Sequence, residues 1–476
     1  MSTETDHTKH TLCPIPWMSQ SYRANGDIRV CCQAQHGPTG GILKSPEGKV
    51  LNARDSDLNE IRNAPLEKDI RSAMMRGEKH AECTRCWTEE DSGMTSRRII
   101  ENKLWTKGGW DQLREEDKYT WDQLMSHTQE DGTIDTDAIG NNFFDVRFGN
   151  LCNLKCRMCG PTDSSMWYDE QVKLWGNTYK DSHGTVTLVP NAKGKHVPEV
   201  NVYDWHESEH YWTQMEAMIP NIRKLYIVGG EPFMIDQHYA FLQKCVDGGY
   251  AKQIIVEYNS NITNIPERAW RIWKHFKRIG IGASIDAIGD LNYYIRYPSN
   301  FDKIWSNLKK LSAAEGNFRM WLATTINIYN VWVLPEIMKF YIENQLPRVN
   351  DDDFKPIMTP HPLHGPQFLN MRALPLAVKD LVAAKFDEQL PLVYDAIDQH
   401  IRDNNRNHHS KRQAKLILDT YKDFMYAKDF SDKLYKFWEH TNRLDKIRGH
   451  YFKDYCPEMN EMMLTHAHPD DCKAPY

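Results

Sequence analysis

The sequence has no apolar run long enough to span a bilayer, no low-complexity tract and no internal repeat. It has no excess of positive charge either, because 59 Lys and Arg stand against 65 Asp and Glu, for a formal net charge of −6. Residues 1–10 are polar and lack the apolar core of a secretion signal. These absences disfavour a membrane protein, a secreted protein and a generally basic nucleic-acid binder, and they predict a cytoplasmic location.

The chain has 476 residues, 40% of them hydrophobic, which is sufficient for a folded protein of about three domains. Its unusual feature is a set of 11 cysteines. Disulfides are rare in proteins that are not exported, so closely spaced cysteines here indicate metal or cluster binding. Seven of the cysteines fall into two groups, and one group has a very specific spacing.

The specific group is Cys152, Cys156 and Cys159, which form a CxxxCxxC motif. Three thiolates at this spacing can each hold one iron of a four-iron cluster. The fourth iron then has no protein ligand and is open to a reactant. The spacing alone is also compatible with half of a zinc site, so its structural context decides between the two.

The pattern of apolar runs divides the chain into four regions. Residues 1–100 contain the other cysteine group, residues 101–140 look like a charged helical connector, and residues 361–476 have a mostly helical pattern. Residues 141–360 alternate short apolar runs with longer amphipathic segments, which predicts βα units, a parallel sheet and an open, partial barrel of six units. Residues 162–175 are expected to form a helix, and residues 177–205 an inserted loop or hairpin. The six candidate strands are residues 143–148, 224–228, 254–258, 279–285, 320–326 and 354–358.

Polar or glycine-rich segments follow five of these strands. The carboxyl ends of parallel strands meet at one edge, where α/β proteins bind ligands, so we expect the segments to converge there. They are the CxxxCxxC motif, Gly229-Gly230-Glu231-Pro232, Asn259-Ser260-Asn261, Ser284-Ile285-Asp286, and Asn327 with Asn330.

A CxxxCxxC motif after a first strand and a Gly-Gly-Glu-Pro segment after a second resemble the radical S-adenosylmethionine (radical SAM) enzymes. The resemblance implies a partial (β/α)6 TIM-like barrel, with a [4Fe–4S] cluster on Cys152, Cys156 and Cys159. The open iron would chelate S-adenosylmethionine. An external one-electron donor, flavodoxin- or ferredoxin-like, would supply the electron that cleaves it. The resulting 5′-deoxyadenosyl radical would abstract hydrogen from a substrate.

The resemblance also assigns contacts with S-adenosylmethionine. The Gly-Gly-Glu segment would receive the methionine amino group, while residues after the third and fourth strands would contact the carboxylate, the ribose or the substrate. Asn, Ser and Asp at strand ends often serve only to satisfy turns, which is an alternative for those residues. Met158 departs from the family, which commonly has an aromatic residue before the last cysteine. The six assigned residues are Gly229, Gly230, Glu231, Asn259, Ser284 and Asp286.

The second cysteine group lies near the N-terminus and comprises Cys13, Cys31, Cys83 and Cys86. Four thiolates can saturate either a tetranuclear cluster or a zinc ion. Cys32 is adjacent to Cys31, and successive side chains of an extended strand point to opposite faces, so only one of the two can easily be a ligand.

The element Gly26-x-x-x-x-Cys31, together with CxxC at 83–86, resembles a twitch domain, a shortened SPASM unit with one auxiliary [4Fe–4S] cluster. The glycine spacing selects Cys31 over Cys32 as the ligand. Here the unit precedes the core, whereas many family members carry it after the core. Zinc remains an alternative to iron and sulfur at this site.

Two function classes follow from these observations. The first is a radical SAM oxidoreductase that acts on a peptide, a protein or a small polar metabolite. Its auxiliary cluster, with every iron ligated, would relay electrons in a net oxidation or in a redox-neutral step. The second is a non-catalytic zinc or iron–sulfur module that binds nucleic acid, which the acidic net charge disfavours.

Three further cysteines, Cys245, Cys456 and Cys472, have no partners at ligand spacing and are expected to be structural thiols. In the C-terminal region Asp445 and Arg448 are three residues apart, which predicts an ion pair on a helix.

Overall fold

The structure is a computed structural model that describes residues 11–34, 40–91, 95–182, 184–349, 357–404 and 410–467. Its core is a seven-stranded sheet, and two smaller sheets of three and two strands accompany it. The strands are β1 (Ser19–Tyr22), β2 (Ile28–Arg29), β3 (Phe143–Phe148), β4 (Thr178–Asp181), β5 (Gly184–Pro190), β6 (His196–Pro198), β7 (Lys224–Gly229), β8 (Ile255–Ser260), β9 (Arg278–Ala283), β10 (Phe318–Leu322), β11 (Thr325–Ile326) and β12 (His361–Pro362).

Helices connect the parallel strands and make up most of the C-terminal region. They are α1 (Ile15–Met18), α2 (Pro65–Met75), α3 (Thr84–Asp91), α4 (Arg97–Trp105), α5 (Trp121–Ser126), α6 (Tyr168–Trp175), α7 (Glu209–Met218), α8 (Asp236–Asp247), α9 (Glu267–Trp273), α10 (Gly289–Ile295), α11 (Phe301–Ala313), α12 (Leu334–Glu343), α13 (Leu376–Asn404), α14 (Lys411–Tyr426), α15 (Leu434–Arg448), α16 (Phe452–Tyr455) and α17 (Pro457–His466). None of the helices in the described ranges is both long and apolar enough to cross a membrane.

The strand order of the main sheet is β10-β9-β8-β7-β3-β1-β2. All neighbours pair in parallel except the hairpin of β1 and β2. The prediction of a mixed α/β protein with a parallel sheet is therefore confirmed. The predicted strand at 320–326 is divided, because β10 ends at Leu322 and β11 leaves the main sheet to pair with β12. The predicted strand at 354–358 lies mostly outside the described residues.

The N-terminal region contributes to the main sheet, which the sequence pattern did not predict. Strand β1 pairs in parallel with β3, so Ser19 lies opposite Phe143 and Ser21 opposite Asp145. All four residues of β1 are buried although three of them are polar. Gly26 makes the turn to β2 with φ +86°, and a Cβ there would lie 2.7 Å from Trp205 Cγ. Strands from both sides of residue 100 therefore share one sheet. The domain boundary at residue 100 stays a prediction.

The inserted segment after α6 forms an antiparallel sheet of three strands, β4, β5 and β6. The helix predicted at 162–175 is present as α6, which begins later because Ser164 caps a preceding 3₁₀ turn. The predicted connector at 101–140 contains the end of α4 and all of α5, separated by turns.

The two faces of the main sheet differ in polarity. One face carries buried apolar residues such as Val146, Ile227 and Val256. The side chains of the opposite face are mostly polar, and the register aligns them in rows across neighbouring strands. We call this side of the sheet the polar face. It comprises Ser21, Asp145, Arg147, Tyr226, Val228, Glu257, Asn259, Gly280, Gly282, Arg319 and Trp321.

Candidate functional site

The CxxxCxxC motif lies on the loop that follows β3, at the carboxyl end of the sheet. Cys152 and Cys156 are buried, Cys159 is partly buried, and all three belong to one small apolar cluster with Leu154. Burial raises the pKa of Cys152 to about 12. A hydrogen bond with the Cys159 thiol and the charge of Arg296 lower the pKa of Cys156. The loop therefore holds three soft sulfur donors within one water-poor cluster.

The Gly-Gly-Glu segment packs directly on this loop. The Gly230 amide donates to the Gly149 carbonyl at 3.2 Å, and the Glu231 amide donates to the Leu151 carbonyl at 2.8 Å. A Cβ on Gly230 would lie 2.6 Å from the backbone of Asn150, so only glycine permits this approach. The segment thus fixes the start of the cysteine loop to the end of β7.

The C-terminal helix α15 holds the same loop from the other side. Arg157 lies within the motif, is fully buried, and pairs with Asp445 at 2.5 Å. The Asp445 carboxylate also accepts hydrogen bonds from the Tyr294 hydroxyl at 3.0 Å and from the Phe452 amide at 2.6 Å. The backbone of Arg157 reaches α15 as well, because His440 lies 3.3 Å from its carbonyl oxygen.

Arg448, one turn further along α15, donates to the Lys155 carbonyl at 2.6 Å and to Glu170 of α6 at 2.7 Å. The predicted pairing of Asp445 with Arg448 is therefore wrong. Each side chain instead contacts the cysteine loop: Asp445 pairs with Arg157 of the loop, and Arg448 pairs with Glu170 of α6 while it donates to the Lys155 carbonyl. Trp167 adds a third contact, since its indole nitrogen donates to the Cys156 carbonyl at 3.0 Å.

Glu231, assigned to the methionine amino group, is buried and engaged within the protein. Its carboxylate accepts hydrogen bonds from the Ser260 hydroxyl at 2.7 Å and from the Asn261 amide at 2.8 Å. Burial raises its pKa to about 7. Its assignment to the methionine amino group stays a prediction.

Asn259 lies on the polar face and has an unused acceptor. Its Nδ2 donates to the Tyr226 hydroxyl at 2.6 Å, while within the described ranges its buried Oδ1 receives no hydrogen bond. Ser284 is half-buried just beyond β9, and its amide donates to the Ser260 carbonyl at 2.9 Å. Both are placed where a polar ligand at the carboxyl end of the sheet could reach them.

Asp286, assigned to the ribose or the substrate, is fully buried. It pairs with Arg296 at 2.7 Å and accepts a hydrogen bond from the Thr325 amide at 2.8 Å. Arg296 in turn approaches Cys156, with 4.0 Å between Nη1 and Sγ. The structure therefore places Asp286 behind Arg296, where it orients a cation beside the cysteine motif and is not itself exposed to a ligand.

The four N-terminal cysteines line one cavity between the hairpin of β1 and β2 and helices α2, α3 and α4. The cavity encloses about 480 Å³ of space between atoms, part of it open to solvent. Arg97, Arg98 and Glu82 are the charged groups in its wall. The four cysteines in the wall are Cys13, Cys31, Cys83 and Cys86.

Cys32 is not among the residues that line this cavity. Its thiol lies within hydrogen-bond reach of both the Cys31 thiol and Asp145 on the polar face. Residues 31–34 form a turn, closed by the bond from the Ala34 amide to the Cys31 carbonyl at 3.2 Å. The two cysteines therefore lie together in a turn, and not on an extended strand as predicted.

In the described part of the chain, no group of three or more His, Cys, Asp or Glu side chains forms a site for a single metal ion. Cys245 and Cys456 are buried free thiols, and Cys472 lies outside the described residues. The two cysteine sets remain the groups whose donor chemistry suits iron–sulfur clusters.

Two solved structures of SuiB from Streptococcus suis are similar to the chain. The one bound to S-adenosylmethionine is 17% identical over 53% of this chain and 47% of SuiB, with a TM-score of 0.28. The one bound to precursor peptide SuiA is 14% identical over 64% of this chain and 57% of SuiB, with a TM-score of 0.28. The chain thus spans about half the length of these structures. No protein-family profile and no curated protein sequence matches the chain.

Proposed function

We propose that the protein is a radical SAM enzyme that cleaves S-adenosylmethionine reductively and abstracts hydrogen from a substrate. The observation that carries the proposal is the loop after β3. It holds Cys152, Cys156 and Cys159 in one buried cluster at the carboxyl end of a parallel sheet. The main sheet with its helices would be the partial (β/α)6 barrel of this family.

The residues present fit the groups that this function requires. Three thiols suit a [4Fe–4S] cluster with one open iron, and the guanidinium of Arg296 offsets thiolate charge beside Cys156. The unused acceptor of Asn259 suits a ribose hydroxyl. The Gly229-Gly230-Glu231 segment would receive the methionine amino group. When bound, the cluster and S-adenosylmethionine supply a 5′-deoxyadenosyl radical as the hydrogen-abstracting agent.

In the same proposal the N-terminal region is a twitch-like domain with an auxiliary [4Fe–4S] cluster. Cys13, Cys31, Cys83 and Cys86 would ligate it and leave no iron open. Its role would then be electron transfer, in a net oxidation or in a redox-neutral step that needs a relay. The substrate would be a peptide, a protein or a small polar metabolite, and a flavodoxin- or ferredoxin-like protein would be the electron donor.

The test is anaerobic purification followed by reduction in the presence of S-adenosylmethionine. We expect brown protein with about eight irons, the content of two clusters, that releases 5′-deoxyadenosine. Colourless protein loaded with zinc and inactive towards S-adenosylmethionine would overturn the proposal. That outcome would favour the non-catalytic zinc or iron–sulfur module that binds nucleic acid.

A pair of single variants tests the auxiliary ligand set. Cys31→Ala is expected to lose roughly half of the iron, because Cys31 lines the cavity with the other three cysteines. Cys32→Ala is the matched control and should keep its iron, because Cys32 is not part of that wall. Iron content and visible absorbance of both proteins give the answer. The reverse result, with iron lost only from Cys32→Ala, would reassign the ligand.

A further inference from the structure

Two arginines lie on the polar face at the N-terminal edge of the main sheet. Arg29 of β2 pairs with Ser21 of β1, which in turn pairs with Asp145 of β3. Arg147 lies two positions beyond Asp145 on β3, so its side chain points to the same face. The register therefore brings the guanidinium groups of Arg29 and Arg147 to one side of the sheet.

Neither guanidinium forms an ion pair with a carboxylate in the part of the chain that the structure describes. Arg147 is exposed, and it has no hydrogen bond or ion pair with any residue that the structure describes. Arg29 is only 8% exposed, donates through Nη2 to the Ala34 carbonyl at 3.2 Å, and has a buried Nε without an acceptor in the described ranges. The register thus places two guanidiniums on one face of the sheet, and an anion there could accept the hydrogen bond that the Nε of Arg29 lacks.

The two arginines lie between the two cysteine sets. Arg29 is two residues before Cys31, and Arg147 is the penultimate residue of β3, which leads into the cysteine loop. A group bound by both guanidiniums would therefore be close to the cysteine loop on one side and to the N-terminal cavity on the other.

Several carboxylates near the arginines accept hydrogen bonds from other groups. Asp181 accepts hydrogen bonds from Tyr203 at 2.8 Å and from Ser182 at 3.1 Å, and Asp27 accepts from Asn25 at 3.1 Å. Burial and the charge of the neighbouring Cys32 thiol raise the pKa of Asp145. Asp163 accepts from the Gly160 amide at 3.0 Å and is the one exposed carboxylate of the group.

We propose that the substrate carries an oxyanion, either a carboxylate or a phosphate, and that Arg29 and Arg147 bind it between the two cysteine sets. This inference deepens the proposed function and rests on it for the identity of the reaction. The planar fork of a guanidinium donates paired hydrogen bonds to such groups. The buried Nε of Arg29 supplies one donor and the exposed guanidinium of Arg147 supplies the others.

The first measurement is calorimetric titration of the purified protein with inorganic phosphate and, separately, with acetate at matched ionic strength. We expect Arg147→Gln to weaken binding of the preferred anion by roughly tenfold or more, since a hydrogen bond to a charged group is lost. The control is Arg271→Gln, an exposed arginine on α9, which should bind as the unchanged protein does. Tighter phosphate binding would indicate a phosphorylated substrate, and tighter acetate binding a carboxylate substrate. Absence of binding, or binding that Arg147→Gln leaves unchanged, would overturn the proposal.

The second measurement separates this inference from the proposed function. Saturating S-adenosylmethionine should not displace the anion from the unchanged protein. Displacement would mean that Arg147 binds the cofactor's own carboxylate, and the substrate proposal would be wrong. If the unchanged protein binds the anion through Arg147 but never cleaves S-adenosylmethionine, the proposed function fails and the anion site stands.

Discussion

Replacement of Cys152, Cys156 and Cys159 by Ala is expected to abolish cleavage of S-adenosylmethionine and to remove about half of the iron. The N-terminal cavity does not use these thiols, so the absorbance of its cluster should remain. The measurements are the yield of 5′-deoxyadenosine after reduction, the iron content and the visible spectrum. The expected loss is complete, because no other cysteine belongs to this cluster among the described residues.

The triple variant is expected to fold, because hydrogen bonds to the backbone of the loop hold it in place and these bonds do not involve the thiols. The Lys155 amide donates to the Tyr297 carbonyl at 2.7 Å, and the Arg157 amide donates to the Ile295 carbonyl at 2.8 Å. The indole of Trp167 donates to the Cys156 carbonyl at 3.0 Å. None of these bonds involves a cysteine side chain, so a loss of cleavage would report on the ligands.

The control for this variant is Cys245→Ala, which removes a fully buried thiol from α8 and should leave iron and cleavage unchanged. Cleavage that survives the triple replacement would show that the cofactor is bound elsewhere. Loss of all iron, including that of the N-terminal cavity, would show that the two cysteine sets do not load independently.

The sequence predicted the part of the fold that apolar runs encode. Strands β7, β8 and β9 are short, buried, β-branched runs, and each was predicted to within two residues at either end. Strand β1 was missed because its sequence, Ser-Gln-Ser-Tyr, has no apolar alternation. Its polar side chains are buried by partners distant in sequence, as when Gln20 hydrogen-bonds the Leu58 carbonyl. Such burial cannot be read from a local pattern.

The candidate site was likewise predictable only in part. Strand order places the cysteine loop, the Gly-Gly-Glu segment and Asn259 at one edge of the sheet, and the structure brings them together there. The role of α15 could not be predicted, because Arg157 and Asp445 are separated by 288 positions and each is unremarkable alone. The sequence offered one signal, an arginine inside the cysteine motif, because a positive charge that becomes buried requires a partner somewhere in the chain.

Asp445→Ala is expected to destabilise the protein by about 3–5 kcal/mol and to loosen the cysteine loop. The change leaves Arg157 buried without its counter-ion and removes the acceptor for the Tyr294 hydroxyl and the Phe452 amide. The measurements are the urea midpoint of unfolding and the rate at which a thiol reagent labels the cysteine loop in protein without clusters. Both should shift, the midpoint downward and the labelling rate upward.

The matched control is Glu439→Ala on the same helix, which breaks an exposed pair with Arg443 and should cost about 1 kcal/mol or less. A double variant, Arg157→Met with Asp445→Leu, separates charge from helix packing. Since it removes both buried charges together, it should be less destabilised than Asp445→Ala. If Asp445→Ala unfolds like Glu439→Ala and labels at the normal rate, α15 does not hold the loop through this pair. If the midpoint falls while labelling is unchanged, the pair stabilises α15 itself, and Arg448 with Trp167 suffices to position the cysteines.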